Sequence, residues 1–329
     1  MPSTGLQQNL VAWYRAHRRD LPWRRASHPY AIWISEIMLQ QTRVAAVIPY
    51  YEKFLAAFPN PKSLAAAPQE RVLALWAGLG YYSRARNLQK AARSLAPDFQ
   101  FPADYESIRA LPGVGDYTAA AVASIAFRLP HAAVDGNVRR VLVRLSNDDH
   151  ADAPSLAARL LDRADPGRWN QALMELGATI CTPRDPNCGE CPLANFCRAR
   201  RAGTQSAIPS KRKKRPPERL EKPLLVIEKR GKILFFPGIL LAGFWELPGE
   251  LPGALRGAFL GEFRHTIQHR HYRFRVYQGR LPASPAGSFR MAGRRGRWVA
   301  REKLDEIALS TTAKKALRCL KDGYVESHS

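Results

Sequence analysis

The stretch Leu111-Pro-Gly-Val-Gly-Asp-Tyr-Thr-Ala119 decides how the N-terminal part of this chain folds. A short helical segment, residues 105–110, precedes it, and an Ala-rich helical segment, residues 117–127, follows it. Gly113 and Gly115 permit a tight turn and a close approach of the backbone to another molecule. We predict a helix–hairpin–helix, whose turn amides and second helix start form a cradle for a phosphate group. An ordinary glycine-containing turn is the alternative.

The residues around this hairpin, from 1 to 208, are predicted to be mainly α-helical. Apolar residues recur at helical spacing in several segments, and Pro, Gly or Asp separates these segments from one another. The predicted helices outside the hairpin are residues 6–17, 30–58, 70–77, 84–95, 138–145 and 168–180.

The character of the sequence changes beyond residue 208. Residues 209–221 are predicted to be a basic linker, because Lys211-Arg-Lys-Lys-Arg215-Pro-Pro is charged and stiffened by proline. A solvated spacer and a specific DNA contact are both open interpretations of it. Residues 222–329 are predicted to form an α+β domain. Its predicted strands are residues 224–228, 232–236 and 272–278, and its predicted closing helices are residues 303–309 and 312–320.

The charge of the chain points to a polyanionic partner. The formal net charge of the 329 residues is +23, and basic residues exceed acidic ones both before and after residue 210. A generally cationic protein is the alternative. The sequence shows no apolar run of the roughly 18–20 residues that a membrane span needs and no secretory signal. We therefore expect a cytoplasmic, nucleoid-associated protein in a reducing compartment.

Four of the five cysteines fall close together, at Cys181, Cys188, Cys191 and Cys197. An odd number of clustered cysteines in a reducing compartment indicates a metal site instead of disulfides. A [4Fe–4S] cluster takes four Cys ligands. Zinc also does, but its structural sites usually use two short C-x2-4-C pairs, and only one such pair is present. The spacing C-x6-C-x2-C-x5-C therefore favours the cluster over zinc.

Two acidic residues are candidates for catalysis. Glu36 lies among Trp33, Ile37 and Met38 at helical spacing, so a buried carboxyl there would have a raised pKa and could act as a general acid. An exposed helix Glu is the alternative. Asp135 precedes a predicted helix, where it could cap the helix, stabilise positive charge in a cleft, or do both.

Polar and aromatic residues near these acids are candidate nucleic-acid contacts. Gln40 and Gln41 could hydrogen-bond to bases or fill the gap left by an extruded base. The loop that contains Tyr81, Arg84 and Arg86 suits an aromatic wedge with arginines that take phosphates, or else a plain helix start.

Taken together, these motifs resemble the MutY-type adenine DNA glycosylases of the endonuclease III superfamily. The resemblance covers residues 5–200 in order and spacing. It implies a helix-hairpin-helix glycosylase fold, with a six-helix bundle and an iron–sulfur subdomain at residues 181–197. Phe244-Trp-Glu-Leu-Pro-Gly249 is similar to the Nudix-like domain of that family, so residues 222–329 are expected to be a Nudix-like lesion-recognition domain.

The resemblance also implies an activity, the removal of adenine mispaired with 8-oxoguanine or guanine in double-stranded DNA, by a monomer. Glu36 would protonate N7 of the extruded adenine, and Asp135 would stabilise the oxocarbenium-like sugar. Asn137 and Tyr117 would line the pocket, and Tyr81 would wedge beside the damaged guanine. The residues expected to contact DNA are Gln40, Gln41, Tyr81, Arg84, Arg86, Gly113, Val114, Gly115, Gln268 and His269.

Three differences refine the comparison with this family and its relatives. Bifunctional endonuclease III-like enzymes carry a nucleophilic lysine where this chain has Tyr117, which predicts a monofunctional glycosylase. Relatives carry a Gln-type residue where Glu36 stands. The family usually shows Phe-Ser-His where this chain has Ile267-Gln268-His269, and the box of active Nudix hydrolases is absent.

Two alternatives to this function are open from the sequence. One is a related glycosylase that acts on thymine opposite guanine, or an endonuclease III-like enzyme. The other is a non-enzymatic DNA-binding protein with a zinc site.

Overall fold

A computed structural model of the chain describes residues 5–210, 216, 218–238, 243–251, 254–267, 270–281, 290–291 and 293–322. The chain divides into two compact units. The first unit contains residues 1–66 and 87–213, and the second contains residues 67–86 and 214–329. The division of the sequence into residues 1–208, 209–221 and 222–329 stays a prediction.

The described residues up to Ser210 are helical. In chain order, the α-helices are α1 (Gly5–His17), α2 (Pro29–Leu39), α3 (Val44–Ala57), α4 (Pro61–Ala66), α5 (Gln69–Trp76), α6 (Ser83–Ser94), α7 (Tyr105–Arg109), α8 (Asp116–Phe127), α9 (Gly136–Ser146), α10 (Ala153–Leu160), α11 (Pro166–Thr179) and α12 (Arg198–Arg201). Single turns of 3-10 helix lie at Pro22–Arg24 and Ala194–Phe196. Within these described residues, no helix is both long and apolar enough to cross a membrane.

Helix α2 is the central helix of the first unit. His28 caps its N-terminus by accepting a hydrogen bond from the Tyr30 amide, and Pro29 stands where a missing amide hydrogen costs nothing. Eight of its eleven residues are buried, so α2 is apolar on nearly all sides. The prediction of one helical stretch over residues 30–58 was wrong, because α2 ends at Leu39 and Gln41 adopts a left-handed conformation (φ 55°) before α3 begins.

A hydrophobic core in the first unit joins the N-terminal helix α1 to helices that come much later in the chain. Side chains of α1, α9, α10 and α11 form it, and they include Leu10, Tyr14, Leu142, Ala157, Trp169 and Leu176. Each of these is nearly or fully inaccessible to solvent. Contacts between residues more than 150 positions apart, such as that between Tyr14 and Gln171, therefore fix the start of the chain against α11.

The C-terminal part of the second unit is built on a mixed β-sheet. Its strands are β1 (Glu218–Lys229), β2 (Lys232–Pro237), β3 (Trp245–Glu246), β4 (Leu255–Ile267), β5 (Arg270–Arg280), β6 (Arg290–Met291), β7 (Arg294–Arg295) and β8 (Arg297–Ala300). Among the described strands, six form one sheet in the order β3-β2-β1-β5-β4, with β8 added to β2. Strands β1 and β5 are parallel, and the other pairs in this sheet are antiparallel.

The helix α13 (Thr311–Asp322) packs against this sheet. Ala313 and Ala316 meet Val226, Phe235 and Val276 in one buried cluster. The C-terminal sheet-containing domain predicted from the sequence is confirmed. The strand predicted at residues 224–228 lies within the longer strand β1, which begins at Glu218. The predicted helix of residues 303–309 was wrong, because Arg301–Glu306 is a 3-10 segment and a β-bridge follows at Leu309.

Candidate active site

An open cleft of about 1420 Å³ lies in the first unit. Its walls come from α2, α8, α9 and α11 and from the segment before α2. It collects seven residues that were singled out from the sequence: Glu36, Gln40, Gln41, Gly115, Tyr117, Asp135 and Asn137. Residues that are far apart in the chain therefore meet at one concave surface, as a ligand-binding site requires.

Glu36 brings a carboxyl group into this cleft from the buried helix α2. Only 6% of the residue is exposed. Burial raises the pKa of Glu36 from 4.5 to about 7, because the charged form loses hydration. A hydrogen bond from Tyr117 lowers this pKa, and the nearby charge of Asp135 raises it, but burial dominates. The expected burial and raised pKa are confirmed, while the role as a general acid is still a prediction.

Tyr117 is the direct partner of this carboxyl group. The residue lies in the first turn of α8, and its hydroxyl donates a hydrogen bond of 2.8 Å to Oε2 of Glu36. The Sδ atom of Met174 lies 3.7 Å from the same hydroxyl. Burial, together with the charges of Glu36 and Asp135, raises the pKa of Tyr117 well above 10.0. The phenol therefore keeps its proton and holds the Glu36 carboxyl in one orientation.

Asp135 is both a helix cap and a cleft residue. Its Oδ1 accepts a hydrogen bond of 2.7 Å from the Val138 amide, which caps α9. Its Oδ2 accepts a hydrogen bond of 3.1 Å from the Asn137 side-chain amide. Both carboxyl oxygens of Asp135 therefore have hydrogen-bond partners within the protein. The cap and the functional interpretation are compatible, because capping holds the carboxylate still at the cleft wall.

Asn137 links Asp135 to the segment that carries the first cysteine. Arg140 donates one hydrogen bond of 2.8 Å to Oδ1 of Asn137 and another of 2.8 Å to the Cys181 carbonyl. A Cβ atom at Gly177 would lie 2.7 Å from Cβ of Asn137. This close approach of α11 to α9 therefore depends on glycine, and it seats Asn137 between two helices.

Sequence reasoning missed an acid with two arginines in the same cleft. Glu175 on α11 is 1% exposed and accepts hydrogen bonds of 2.7 Å from both Arg19 and Arg24. Burial alone would raise the pKa of Glu175, but these hydrogen bonds outweigh it and lower the pKa to about 2. The one signal in the sequence was an acidic residue between the apolar residues Leu173 and Leu176 of a predicted helix.

The hairpin between α7 and α8 has the predicted geometry. Gly113 adopts φ 80°, and a Cβ there would lie 2.6 Å from Cβ of Asn87, so both the turn and the packing require glycine. Gly115 precedes α8, whose N-terminus has no side-chain cap. Val114 is buried, and its amide bonds to the Leu111 carbonyl. The Val114 carbonyl accepts a hydrogen bond of 3.2 Å from Arg109, so both backbone polar groups of Val114 have partners within the protein.

Gln40 and Gln41 follow α2 at the cleft. The Gln40 side-chain amide donates a hydrogen bond of 3.1 Å to the Thr118 hydroxyl, which ties the turn to α8. Gln41 is exposed, and its φ of 55° is a strained conformation for a non-glycine residue. Gln41 is thus placed to meet an incoming ligand, whereas Gln40 supports the turn.

The loop with Tyr81 lies in the second unit and departs from one expectation. Tyr81 is 54% exposed, as a wedge residue should be. Arg84 is only 8% exposed, and its guanidinium donates hydrogen bonds to the Leu79 and Gly80 carbonyls of the same loop. Arg84 therefore braces the loop, and its contact with a phosphate stays a prediction. Arg86 is half-buried.

The four clustered cysteines line one small cavity of about 20 Å³ between α9 and the loop after α11. Arg144, which is 2% exposed, donates a hydrogen bond of 3.3 Å to Sγ of Cys181. Burial, with the neighbouring sulfur atoms, raises the pKa of Cys191 to about 11. Closely spaced, partly buried thiols give up their protons when a metal centre supplies positive charge, so this donor set fits a Cys-ligated iron–sulfur cluster.

Two further observations complete the account of the predicted residues. Within the described residues, no three His, Cys, Asp or Glu side chains stand in a preformed metal-binding arrangement. The four cysteines nevertheless line the same small cavity. Gln268 and His269 lie outside the described residues. The strands on either side of them, β4 and β5, are antiparallel, with Ile267 opposite Arg270.

The fold and the cleft together define a class of helix–hairpin–helix DNA-repair proteins. Residues 34–166 match the HhH-GPD superfamily of base excision DNA repair proteins, and residues 181–197 match the iron-sulfur binding domain of endonuclease III. Because the matched segment spans Cys181 to Cys197, these four residues are the iron–sulfur motif of the chain.

Known proteins narrow this class. The chain is 46% identical over 224 residues to an adenine DNA glycosylase of Homo sapiens, across 62% of this chain and 41% of that protein. An adenine DNA glycosylase of Mycobacterium tuberculosis is 43% identical over 209 residues, across 59% of this chain and 67% of that protein. A solved thermostable thymine-DNA glycosylase superposes with a TM-score of 0.56 at 30% identity, across 60% of this chain and 95% of that one.

The chain belongs to the adenine DNA glycosylase family of the HhH-GPD superfamily. It spans less than half the length of the human, mouse and rat relatives that it matches.

Proposed function

We propose that this protein is a monofunctional glycosylase that removes adenine mispaired with 8-oxoguanine or guanine from double-stranded DNA. The observation that carries the proposal is the Glu36 carboxyl, buried in the cleft with a pKa of about 7. A carboxyl with this pKa is half protonated near neutral pH and can deliver a proton in the transition state. Adenine is a base whose departure is assisted by protonation of a ring nitrogen.

The reaction uses the two acids in different ways. Glu36 donates its proton to N7 of the extruded adenine as the bond between C1′ and N9 breaks, and the bonding electrons leave with the base. Asp135, held by Val138 and Asn137, stabilises the positive charge that develops on the sugar. Water then adds to C1′ and gives its proton to the Glu36 carboxylate. The products are free adenine and an abasic site.

Tyr117 supports the monofunctional assignment. Its phenol has a pKa raised well above 10.0 and donates a hydrogen bond to Glu36. A phenol cannot form the Schiff base through which a lysine would cleave the DNA strand. The abasic site should therefore persist until alkali is added.

The remaining DNA contacts follow from exposure and charge. The amides at Gly113 and Gly115 and the start of α8 bind a backbone phosphate of the duplex. Gln41 and Tyr81 contact the bases around the extrusion site, and Gln268 and His269 contact the oxidised guanine. The protein works as a monomer in the cytoplasm, bound to nucleoid DNA.

Single-turnover excision tests this function. Duplexes with A opposite 8-oxoguanine, A opposite G, and T opposite G are incubated with the enzyme, and each product is analysed with and without alkali. Adenine loss with alkali-dependent breakage is the expected result, and Glu36→Gln should bind DNA without excising adenine. Strand breakage without alkali would contradict the role of Tyr117.

Thymine removal opposite guanine is the second candidate, because a structural relative at 30% identity is a thymine-DNA glycosylase. Glu36 distinguishes the two functions, since the proposed proton donor acts at N7, an atom that thymine lacks. Thymine loss that persists in Glu36→Gln would favour this candidate over the first.

A further inference from the structure

The loop that presents Tyr81 belongs to the same compact unit as the C-terminal sheet. Residues 67–86 are far from residues 214–329 in sequence, yet they form one unit with them. Tyr82 makes two of the specific contacts that hold the loop in this unit.

Tyr81 is presented to solvent by a strained backbone. Gly80 adopts φ 71° and Tyr81 itself adopts φ 47°, a left-handed conformation that costs a non-glycine residue free energy. The guanidinium of Arg84 lies 5.6 Å from the centre of the Tyr81 ring and 5.4 Å from that of Trp76. The strain must be offset by contacts around the loop, and Arg84 supplies some of them.

Tyr82 supplies further stabilising contacts, because its side chain points into the protein. It is 4% exposed, and its ring centre lies 4.0 Å from that of Phe244. Its hydroxyl is hydrogen-bonded to the hydroxyl of Thr311, at 3.2 Å, in the first turn of α13. The two tyrosines are adjacent, so fixing the inward one limits where the outward one can point.

The approach of the Phe244 segment to residues 67–86 leaves no spare room. Gly243 adopts φ 86°, and a Cβ there would lie 2.7 Å from Cδ1 of Leu73 on α5. The segment that carries Phe244 is therefore packed closely against α5.

We propose that Phe244 and Thr311 are positioning residues for base extrusion: by anchoring Tyr82, they set the orientation of the Tyr81 wedge. Residues from the C-terminal part of the second unit then influence base extrusion through their contact with Tyr82. The proposal rests on the proposed function for the role of Tyr81, but the anchoring itself is a physical claim that can be tested without excision.

The first test measures amide hydrogen exchange in peptides that cover residues 78–86 of the full-length protein. The amides of Leu79 and Arg84 are hydrogen-bonded within this loop. Thr311→Val and Tyr82→Phe remove one hydroxyl each and should raise exchange about fivefold, the factor for a lost hydrogen bond of about 1 kcal/mol. Thr312→Val is the matched control, because Thr312 lies in the same turn and bonds to Ser310 instead.

A second pair of variants tests the ring contact and guards against general unfolding. Phe244→Leu should raise loop exchange, whereas Phe274→Leu, in the sheet core of the same unit, should lower the stability of the domain without a selective effect on residues 78–86. Equal loop exchange in Thr311→Val and Thr312→Val, with no selective effect of Phe244→Leu, would overturn the anchoring.

The second test measures base extrusion directly. Each variant is combined with Glu36→Gln and bound to a duplex with 2-aminopurine beside the adenine that faces 8-oxoguanine. The fluorescence increase should fall in the variants whose loop exchange rises, and should be unchanged in Thr312→Val. Raised exchange with unchanged fluorescence would make the contact merely structural and overturn the positioning role. If Tyr81→Ala leaves the fluorescence unchanged, the proposed role of Tyr81 fails, while the exchange result still decides the anchoring.

Discussion

Replacing Glu36 by Gln should change the stability of the protein in a way that depends on pH. The pKa of this carboxyl is about 7 in the folded protein, against an ordinary value of 4.5. A group whose pKa is raised on folding stabilises the protein fully below its unfolded pKa, and this contribution is lost as the pH rises through the folded pKa. Gln resembles the protonated acid in shape and charge and does not ionise. The Glu36→Gln variant therefore keeps the stability that wild type loses as the pH rises.

The size of the effect follows from the difference between the two pKa values. Each pKa unit corresponds to 1.36 kcal/mol, so burying the ionised Glu36 costs about 3 kcal/mol above pH 7. We expect wild type and Glu36→Gln to have similar free energies of unfolding near pH 4.5, and the variant to be more stable by about that amount near pH 8. The gap should open between these pH values.

Urea unfolding monitored by helical circular dichroism measures this difference, because the first unit supplies most of the helix. The exposed Glu106 on α7 offers a matched control, and Glu106→Gln should show no gap that opens with pH. A difference between wild type and Glu36→Gln that stays constant from pH 4.5 to pH 8 would refute the argument that Glu36 is buried as an acid.

Three further variants test the site. Asp135→Asn should reduce the rate of excision by on the order of 10²-fold or more. It should lower the free energy of unfolding by less than about 1 kcal/mol, because Asn caps helices as well as Asp does. A large loss of stability with normal excision would show that Asp135 serves only as a helix cap. Glu175→Gln should lower the free energy of unfolding by about 3 kcal/mol at neutral pH, because the pKa of Glu175 is lowered to about 2. The ionised Glu175 stabilises the protein fully above pH 4.5, and this stabilisation is lost as the pH falls towards 2. If the variant were still less stable than wild type at pH 2, the argument would be contradicted. Cys188→Ser should lower bound iron and the absorbance near about 400 nm, and protease should cleave within residues 181–197; an unchanged iron content would argue against its role as a ligand.

The sequence predicted those features that depend on neighbours in the chain. Glu36 could be placed in an apolar setting because Trp33, Ile37 and Met38 lie one helical turn or less away. Gly113 was predicted to make a tight turn because few other residues adopt a positive φ there. The cap at Asp135 likewise depends only on the helix that follows it.

The features that escaped prediction include a contact between distant residues and some local ones. The pairing of Glu175 with Arg19 joins positions 156 residues apart, and no local pattern encodes it. Arg84 was expected to bind phosphate because an arginine near glycines and aromatic residues often does so. Its buried guanidinium also lies near the Trp76 and Tyr81 rings, which the sequence did not reveal, and the phosphate contact stays a prediction. Strand β4 was missed because glycines at positions 257 and 261 interrupt the alternation of its side chains.

The cleft holds two buried glutamates whose pKa values are driven in opposite directions. Glu36 has one phenol as its hydrogen-bond partner and a pKa of about 7, whereas Glu175 has two arginines and a pKa of about 2. At neutral pH the second acid is always ionised, so it can fix Arg19 and Arg24 in the cleft wall but cannot deliver a proton. Separation of pKa values between neighbouring acids is how one site assigns different tasks to the same chemical group. In the proposed reaction, the proton for the leaving base would therefore come from Glu36.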